Sequence, residues 1–143
     1  MTTQTTAGKP LLPEVQVFLS KEVHGAVIGG QEVTASNGDT FDTRDPGTGE
    51  KLATVSNMQP DDVERAVADA KKTFDEADWA RLPVNERGVH LMRLADAVEQ
   101  RKPIIAQIEA LDCGKIEAQA ADDVQNFIDT IRYFCGLAQG LSL

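Results

Sequence analysis

The sequence predicts an α/β chain in which a short antiparallel β layer precedes four helices. Three observations carry this reading. Between residues 24 and 58, short apolar runs alternate with turns rich in Gly, Asn and Pro. From Pro60 onward the apolar spacing becomes helical. The helical half is punctuated by Pro60, Pro103 and Gly114, residue types that open or close helices.

Residues 1–12, rich in Thr and without periodicity, read as a disordered tail, and residues 13–143 as the ordered part. Pro13 opens a brief helix carrying Val15, Phe18 and Leu19. Ala26-Val27-Ile28 and Gln31-Glu32-Val33 flank Gly29-Gly30, the pattern of a hairpin. Thr40–Thr43 and Lys51–Val55 supply a third and a fourth strand around Asp45-Pro46-Gly47-Thr48-Gly49. Pro60-Asp61-Asp62 starts the first long helix, because proline fits a first turn and acids favour the positive end of the helix dipole. Its stripe is Val63, Ala66, Val67, Ala70 and Phe74, and it ends near Asp78. A second helix runs from about Val84 to Lys102, with Leu91, Leu94, Ala95 and Val98 on its buried face. Pro103 starts a third, carrying Ile104, Ile105, Ile108 and Leu111, which Gly114 ends in a left-handed conformation. The fourth spans about Ile116 to Gln139 with the stripe Ala120, Val124, Phe127, Ile131, Phe134 and Ala138.

Composition narrows the function classes. Of 143 residues, 41% are hydrophobic and 26% charged, too apolar for a disordered chain. No apolar run approaches the ~20 residues that span a bilayer, so no membrane partner is expected. A net charge of −9 argues against nucleic acid. Two cysteines make no disulfide framework, and reduced thiols suit a cytoplasmic location.

The candidate chemistry is sparse. Cys113 sits at a helix C-terminus, the wrong dipole end for a reactive thiolate, and Cys135 lies beside an apolar stripe; both read as structural. Gly114-Lys115 lacks the rest of a phosphate-binding loop, since Glu109 and Ile116 stand where Gly and Ser or Thr are needed. Gly29, Gly30 and Gly38 do not form a dinucleotide fingerprint. Asp122-Asp123 reads either as a solvated face or, through Asp123 and Asn126 three residues apart, as a pair facing a cationic or polar ligand. Asp112 is either a solvated helix-end acid or a ligand for a small cation.

From about Ile28 to Leu141 the chain resembles the N-terminal segment of the aldehyde dehydrogenase superfamily. The pieces are FDTRDPGTGEKLATV, then the two helices of DDVERAVADAKKTFDEADWARLPVNERGVHLMRLADAVEQ, then IEALDCGK and RYFCGLA, in that order. VQVFLSKEVHG is similar to the leader of phenylacetaldehyde-type members, and EALDCGK to the betaine and aminoaldehyde group.

The resemblance implies the N-terminal part of a Rossmann-like cofactor domain in an enzyme that uses NAD or NADP to oxidise an aldehyde to a carboxylic acid. The implied route runs through a thiohemiacetal, hydride transfer to nicotinamide and thioester hydrolysis. It implies a homo-oligomer, dimer or tetramer. In the family the nucleophilic cysteine, the glutamate base and the cofactor contacts lie beyond the stretch corresponding to this chain. No catalytic or cofactor-binding residue is therefore assigned here, and the chain alone is expected to be inactive, with unpartnered apolar faces. The alternative is a non-catalytic truncated paralogue that associates with a full-length subunit. A monovalent cation, K+ or Na+, is implied at Thr43, the Arg44 backbone and Asp112. Asp123 and Asn126 are implied at the substrate entrance, where the acids of the betaine and aminoaldehyde group stand. With Asn126 in place of the second acid, a polar or ω-amino aldehyde fits better than a quaternary one, while the leader points to an aromatic aldehyde.

Overall fold

A computed structural model describes residues 5–6 and 9–140. The chain forms two compact units, one built from residues up to Gln16 and from Arg81 on, the other from Val17–Ala80. The order is β1 (Thr5–Thr6), β2 (Lys9–Pro10), α1 (Pro13–Leu19), β3 (Ala26–Ile28), β4 (Gln31–Val33), β5 (Thr40–Arg44), β6 (Lys51–Ser56), α2 (Pro60–Glu76), α3 (Val84–Gln100), α4 (Lys102–Cys113) and α5 (Glu117–Gly140), with a short 3₁₀ turn at Asp78–Arg81. No helix among the described residues is long and apolar enough to cross a membrane.

In the Val17–Ala80 unit the expected hairpin forms. β3 and β4 pair antiparallel with Ile28 opposite Gln31, and the turn places Gly29 and Gly30 at φ 59° and 75°. Positive φ at both central residues is what a turn matching the strands' twist demands, and glycine adopts it without a Cβ clash. β5 and β6 pair antiparallel, Thr40 opposite Ser56, with an irregularity between Thr43 and Arg44. The described strands do not join into one layer. They form separate two-stranded ladders, and His24 runs alongside β6 in parallel, donating its N–H to the Thr54 carbonyl at 2.9 Å and accepting from the Ser56 N–H at 2.9 Å.

One buried acid ties this unit's loop to its helix. Asp62, 2% exposed, accepts from the Ser36 N–H at 3.0 Å, the Ser36 hydroxyl at 3.2 Å and the Gln59 N–H at 3.1 Å. It thereby satisfies a donor at the start of α2 and one in the preceding loop, both of which need partners once buried. The apolar stripe of α2 is largely uncovered, with Val63, Val67 and Phe74 exposed.

The other unit is a helical cluster. α3 and α4 both pack on α5. Its core is Ala95 of α3, Ala106 and Ala110 of α4, and Ala120, Val124 and Ile128 of α5, flanked by Val98, Ile105, Ala121 and Ile131. Arg101 alone separates α3 from α4, since Pro103 has no N–H for the Glu99 carbonyl one turn back. Gly114 ends α4 at φ 68°, its N–H donating to the Ala110 carbonyl at 3.0 Å. On the outside, Arg132 reaches Asp96 at 2.8 Å and Glu99 at 2.7 Å.

Two expected stripes hold in part: Ala95 and Val98 of α3, and Ala120, Val124 and Ile131 of α5, lie in or against the core, but their bulkiest members do not. Leu91 and Leu94 of α3 are exposed, and the buried face runs through Gly88 and Ala95. On α5, Phe127 and Phe134 are exposed, and Ile128 and Cys135 take the inner positions. Small residues lie inside because the helices approach closely, which pushes the bulky side chains to the flanks.

Part of the expected tail, residues 1–4 and 7–8, lies outside the described residues. Its end is packed. Leu11 is buried, and the Leu12 N–H donates to Oε1 of the buried Gln107 at 2.7 Å.

Two outcomes follow. A Cβ at Gly25 would stand 2.3 Å from the Val33 carbonyl oxygen. Gly25→Ala should cost the hairpin unit about 1–3 kcal/mol, the usual range for overpacking, read as a lower urea midpoint. The hydrogen bonds from Ser36 and Gln59 hold the Asp62 carboxyl below its ordinary range. Its contribution to stability is thus complete above the ordinary carboxylate pKa of about 3.9 and is lost as pH falls through the lower folded value. Asp62→Asn should flatten the acid limb of the melting temperature against pH.

Candidate functional site

The groove of interest lies within the helical unit, at the junction of α3, α4 and α5. Gly114 reverses the chain at the end of α4, so Lys115 enters the gap between the last turns of α4 and the first turns of α5. There its Nζ meets Glu109 Oε1 at 2.6 Å and Asp123 Oδ2 at 2.8 Å. Both are short, charge-assisted contacts. Together they hold the ammonium well above the ordinary lysine range, Asp123 contributing most and Glu109 next.

Beside this cluster is an open groove of about 410 Å³. Val98, Ile105, Val124 and Phe127 supply its apolar lining, and Glu109 and Asp123 its polar edge. Phe127, 48% exposed, presents an accessible ring. Such a volume, apolar with few polar groups, is in the range of small-molecule sites, about 300–1,000 Å³.

Of the residues expected at a substrate entrance, Asp123 lines this groove, with its carboxylate already engaged by Lys115. Asn126 is exposed on the same helix and outside the lining. Glu109 and Lys115 were not among the expected residues. The signal for them is an acid five residues before a left-handed glycine and a lysine directly after it, which places the two side by side.

The residues implied for a cation are distributed between the units. Thr43 and Arg44 lie on β5, and Asp112 is exposed on the last turn of α4. The Arg44 guanidinium serves its own turn, donating to the Gly49 carbonyl at 3.1 Å and facing Asp42 at 3.7 Å. Lys51 lies 2.7 Å from Asp42 and, chiefly through that contact, holds its carboxyl below the ordinary range. Neither unit by itself assembles all three residues. Among the described residues no three His, Cys, Asp or Glu side chains gather to hold a metal ion.

The sequence and the fold have counterparts among known proteins. The sequence profile described as the aldehyde dehydrogenase family matches residues 33–142. The chain belongs to that family. It is 40% identical over 131 residues to the mitochondrial benzaldehyde dehydrogenase of Antirrhinum majus, covering 91% of this chain and 24% of that protein. The NAD+ complex of an aldehyde dehydrogenase from Bacillus cereus superimposes with a TM-score of 0.83 at 37% identity, covering 88% of this chain and 26% of that one. A betaine aldehyde dehydrogenase from Staphylococcus aureus, also in complex with NAD+, gives 0.81 at 27% identity, covering 87% and 25%. The chain thus spans about a quarter of the length of these relatives.

A dinucleotide cradle has a recognisable backbone form, a glycine-rich turn from strand to helix. The chain's glycines at positive φ, Gly29, Gly30, Gly38, Gly49 and Gly114, lie in loops and turns between strands and at a helix end. None forms the strand-to-helix turn that aims backbone N–H groups at a pyrophosphate.

The two thiols differ in access. Cys113 is exposed at the end of α4, and Cys135 is 3% exposed on the inner face of α5. A thiol-titrating disulfide reagent should modify one cysteine in the native chain and two in denaturant. Native modification of Cys135 at the rate of Cys113 would remove its structural role.

Proposed function

We propose that this chain acts within an aldehyde dehydrogenase subunit, where it frames the cofactor domain and its fourth long helix, α5, forms one wall of the substrate entrance. The reaction served is oxidation of an aldehyde to a carboxylic acid, with NAD or NADP accepting the hydride. The observation that carries this reading is the family match over residues 33–142, combined with a groove beside α5. The nucleophile and the dinucleotide cradle belong to other parts of the family's fold. Cys135 is sealed in packing, and Cys113 is exposed at the end of α4.

What this segment contributes is position. The three-helix core holds Asp123 and Phe127 at the groove, and Asn126 stands one step round the same helix. The named relatives include an enzyme of benzaldehyde and one of betaine aldehyde. They mark the two substrate chemistries between which the groove would choose.

A second reading is favoured by the exposed apolar side chains Val63, Val67 and Phe74 on α2 and Tyr133, Phe134 and Leu137 on α5. They suit a module that docks on another subunit, including a homo-oligomer. Apolar patches of this kind mark interaction faces.

A segment exchange decides between the two readings. Residues 33–140 would replace the matching segment of the Bacillus cereus enzyme. The chimaera should keep NAD-linked aldehyde oxidation within about tenfold of its parent, a loss of no more than ~1.4 kcal/mol in transition-state stabilisation. A chimaera that folds and assembles but does not turn over would remove the catalytic reading and leave the docking module.

A further inference from the structure

We propose that Lys115 sets the charge of the groove beside α5, so that the groove takes an uncharged apolar tail, aromatic or branched, in preference to a cationic one. This rests on α5 forming a wall of the substrate entrance, and it names the substrate class of that site.

The argument is one of charge and geometry. Two carboxylates edge the groove, Glu109 and Asp123. If both faced an incoming ligand, they would form an obvious cation trap. Each is bound through one oxygen to the same ammonium, at 2.6 and 2.8 Å. A cationic tail reaching Asp123 would have to displace Lys115 from a charge-assisted hydrogen bond or accept a like charge beside it. Either is unfavourable where desolvation strengthens electrostatic terms. The rest of the lining is Val98, Ile105, Val124 and Phe127, which offer an apolar tail contact area and no hydrogen bond to satisfy.

Lys115 is well placed to hold this arrangement. It follows the αL glycine directly, its neighbours come from both adjoining helices, and its side chain is 28% exposed, less than the 52% of Asp123. Lys115 is a positioning residue: it acts through Asp123 and Glu109 on whatever enters the groove.

The test uses two small probes on the 143-residue chain, 2-phenylethanol and choline, followed through the amide shifts of Ile105, Val124 and Phe127. In the native chain 2-phenylethanol should bind at least about tenfold more tightly than choline, a difference of ~1.4 kcal/mol. Lys115→Gln, which leaves both carboxylates without their ammonium, should tighten choline at least about fivefold and leave 2-phenylethanol within about twofold, as loss of a partly exposed ion pair permits. Lys115→Arg keeps both ion pairs and should restore the native ratio. Asp123→Asn, which decides the matter should Lys115→Gln not fold, should change choline binding less than about twofold, because that acid is already paired with Lys115. Equal binding of the two probes, binding of neither, a ratio unmoved by Lys115→Gln, or loss of choline binding in Asp123→Asn would each overturn the proposal. No cofactor or turnover enters this titration, so its failure is separate from failure of the segment exchange.

Discussion

The helical unit depends on close approach of three helices through small side chains. Four of the six residues in its core are alanines: Ala95, Ala106, Ala110 and Ala120. An alanine contributes little apolar area of its own, so burial must come from the larger residues brought against it. Val124 and Ile128 fill the seam, and Val98, Ile105 and Ile131 close its edges. Packing of this kind tolerates neither a void nor an added methylene, because rigid helices cannot adjust locally to either. It therefore fixes the rotation of α5, and with it the direction in which Asp123 and Phe127 present their side chains.

The Val17–Ala80 unit is held differently. Its described strands are short, and isolated two-stranded hairpins are marginal in water. Polar closure supplements them. Asp62 joins the loop at Ser36 to the start of α2, and Glu32 accepts from the Gly25 N–H while pairing with Lys21. The lysine contact, followed by the Gly25 hydrogen bond, holds Glu32 below the ordinary carboxylate range. Where apolar area is scarce, satisfied backbone donors do much of the positioning. An unsatisfied donor in the same place would cost more than the hydrogen bond gains.

The features legible in the sequence are those decided within a few residues. The Gly29-Gly30 turn, the start of α2 at Pro60, the break before Pro103 and the αL end at Gly114 all follow from local backbone chemistry. The phase of the buried stripes was legible only in part. Size favours Phe127 and Phe134 as core residues, yet Ile128 and Cys135 lie inside, because the separation of the helices sets what fits. That separation comes from alanines on other elements. The bond from Leu12 to Gln107 likewise joins residues 95 apart in sequence. At the groove, Asp123 was legible as a candidate, but its charge state as seen by a ligand was not, since that belongs to Lys115 and Glu109.

A carboxylate counted from sequence is a full negative charge, and the same carboxylate beside an ammonium is a dipole. For an approaching cation the difference is large. The attraction of a bare charge falls as the inverse of distance, and that of a close pair falls faster, so beyond a few ångströms the pair is nearly silent. At the groove two carboxylates share one ammonium, which leaves a single net negative charge spread across Glu109, Lys115 and Asp123. Val98, Ile105 and Phe127, where a ligand's tail would lie, carry no charge. A lining apolar in area, with its charges turned inward on each other, selects by shape and hydration. A cation entering it loses water for carboxylates already shared with Lys115, whereas an uncharged ring loses only water that apolar surface holds weakly.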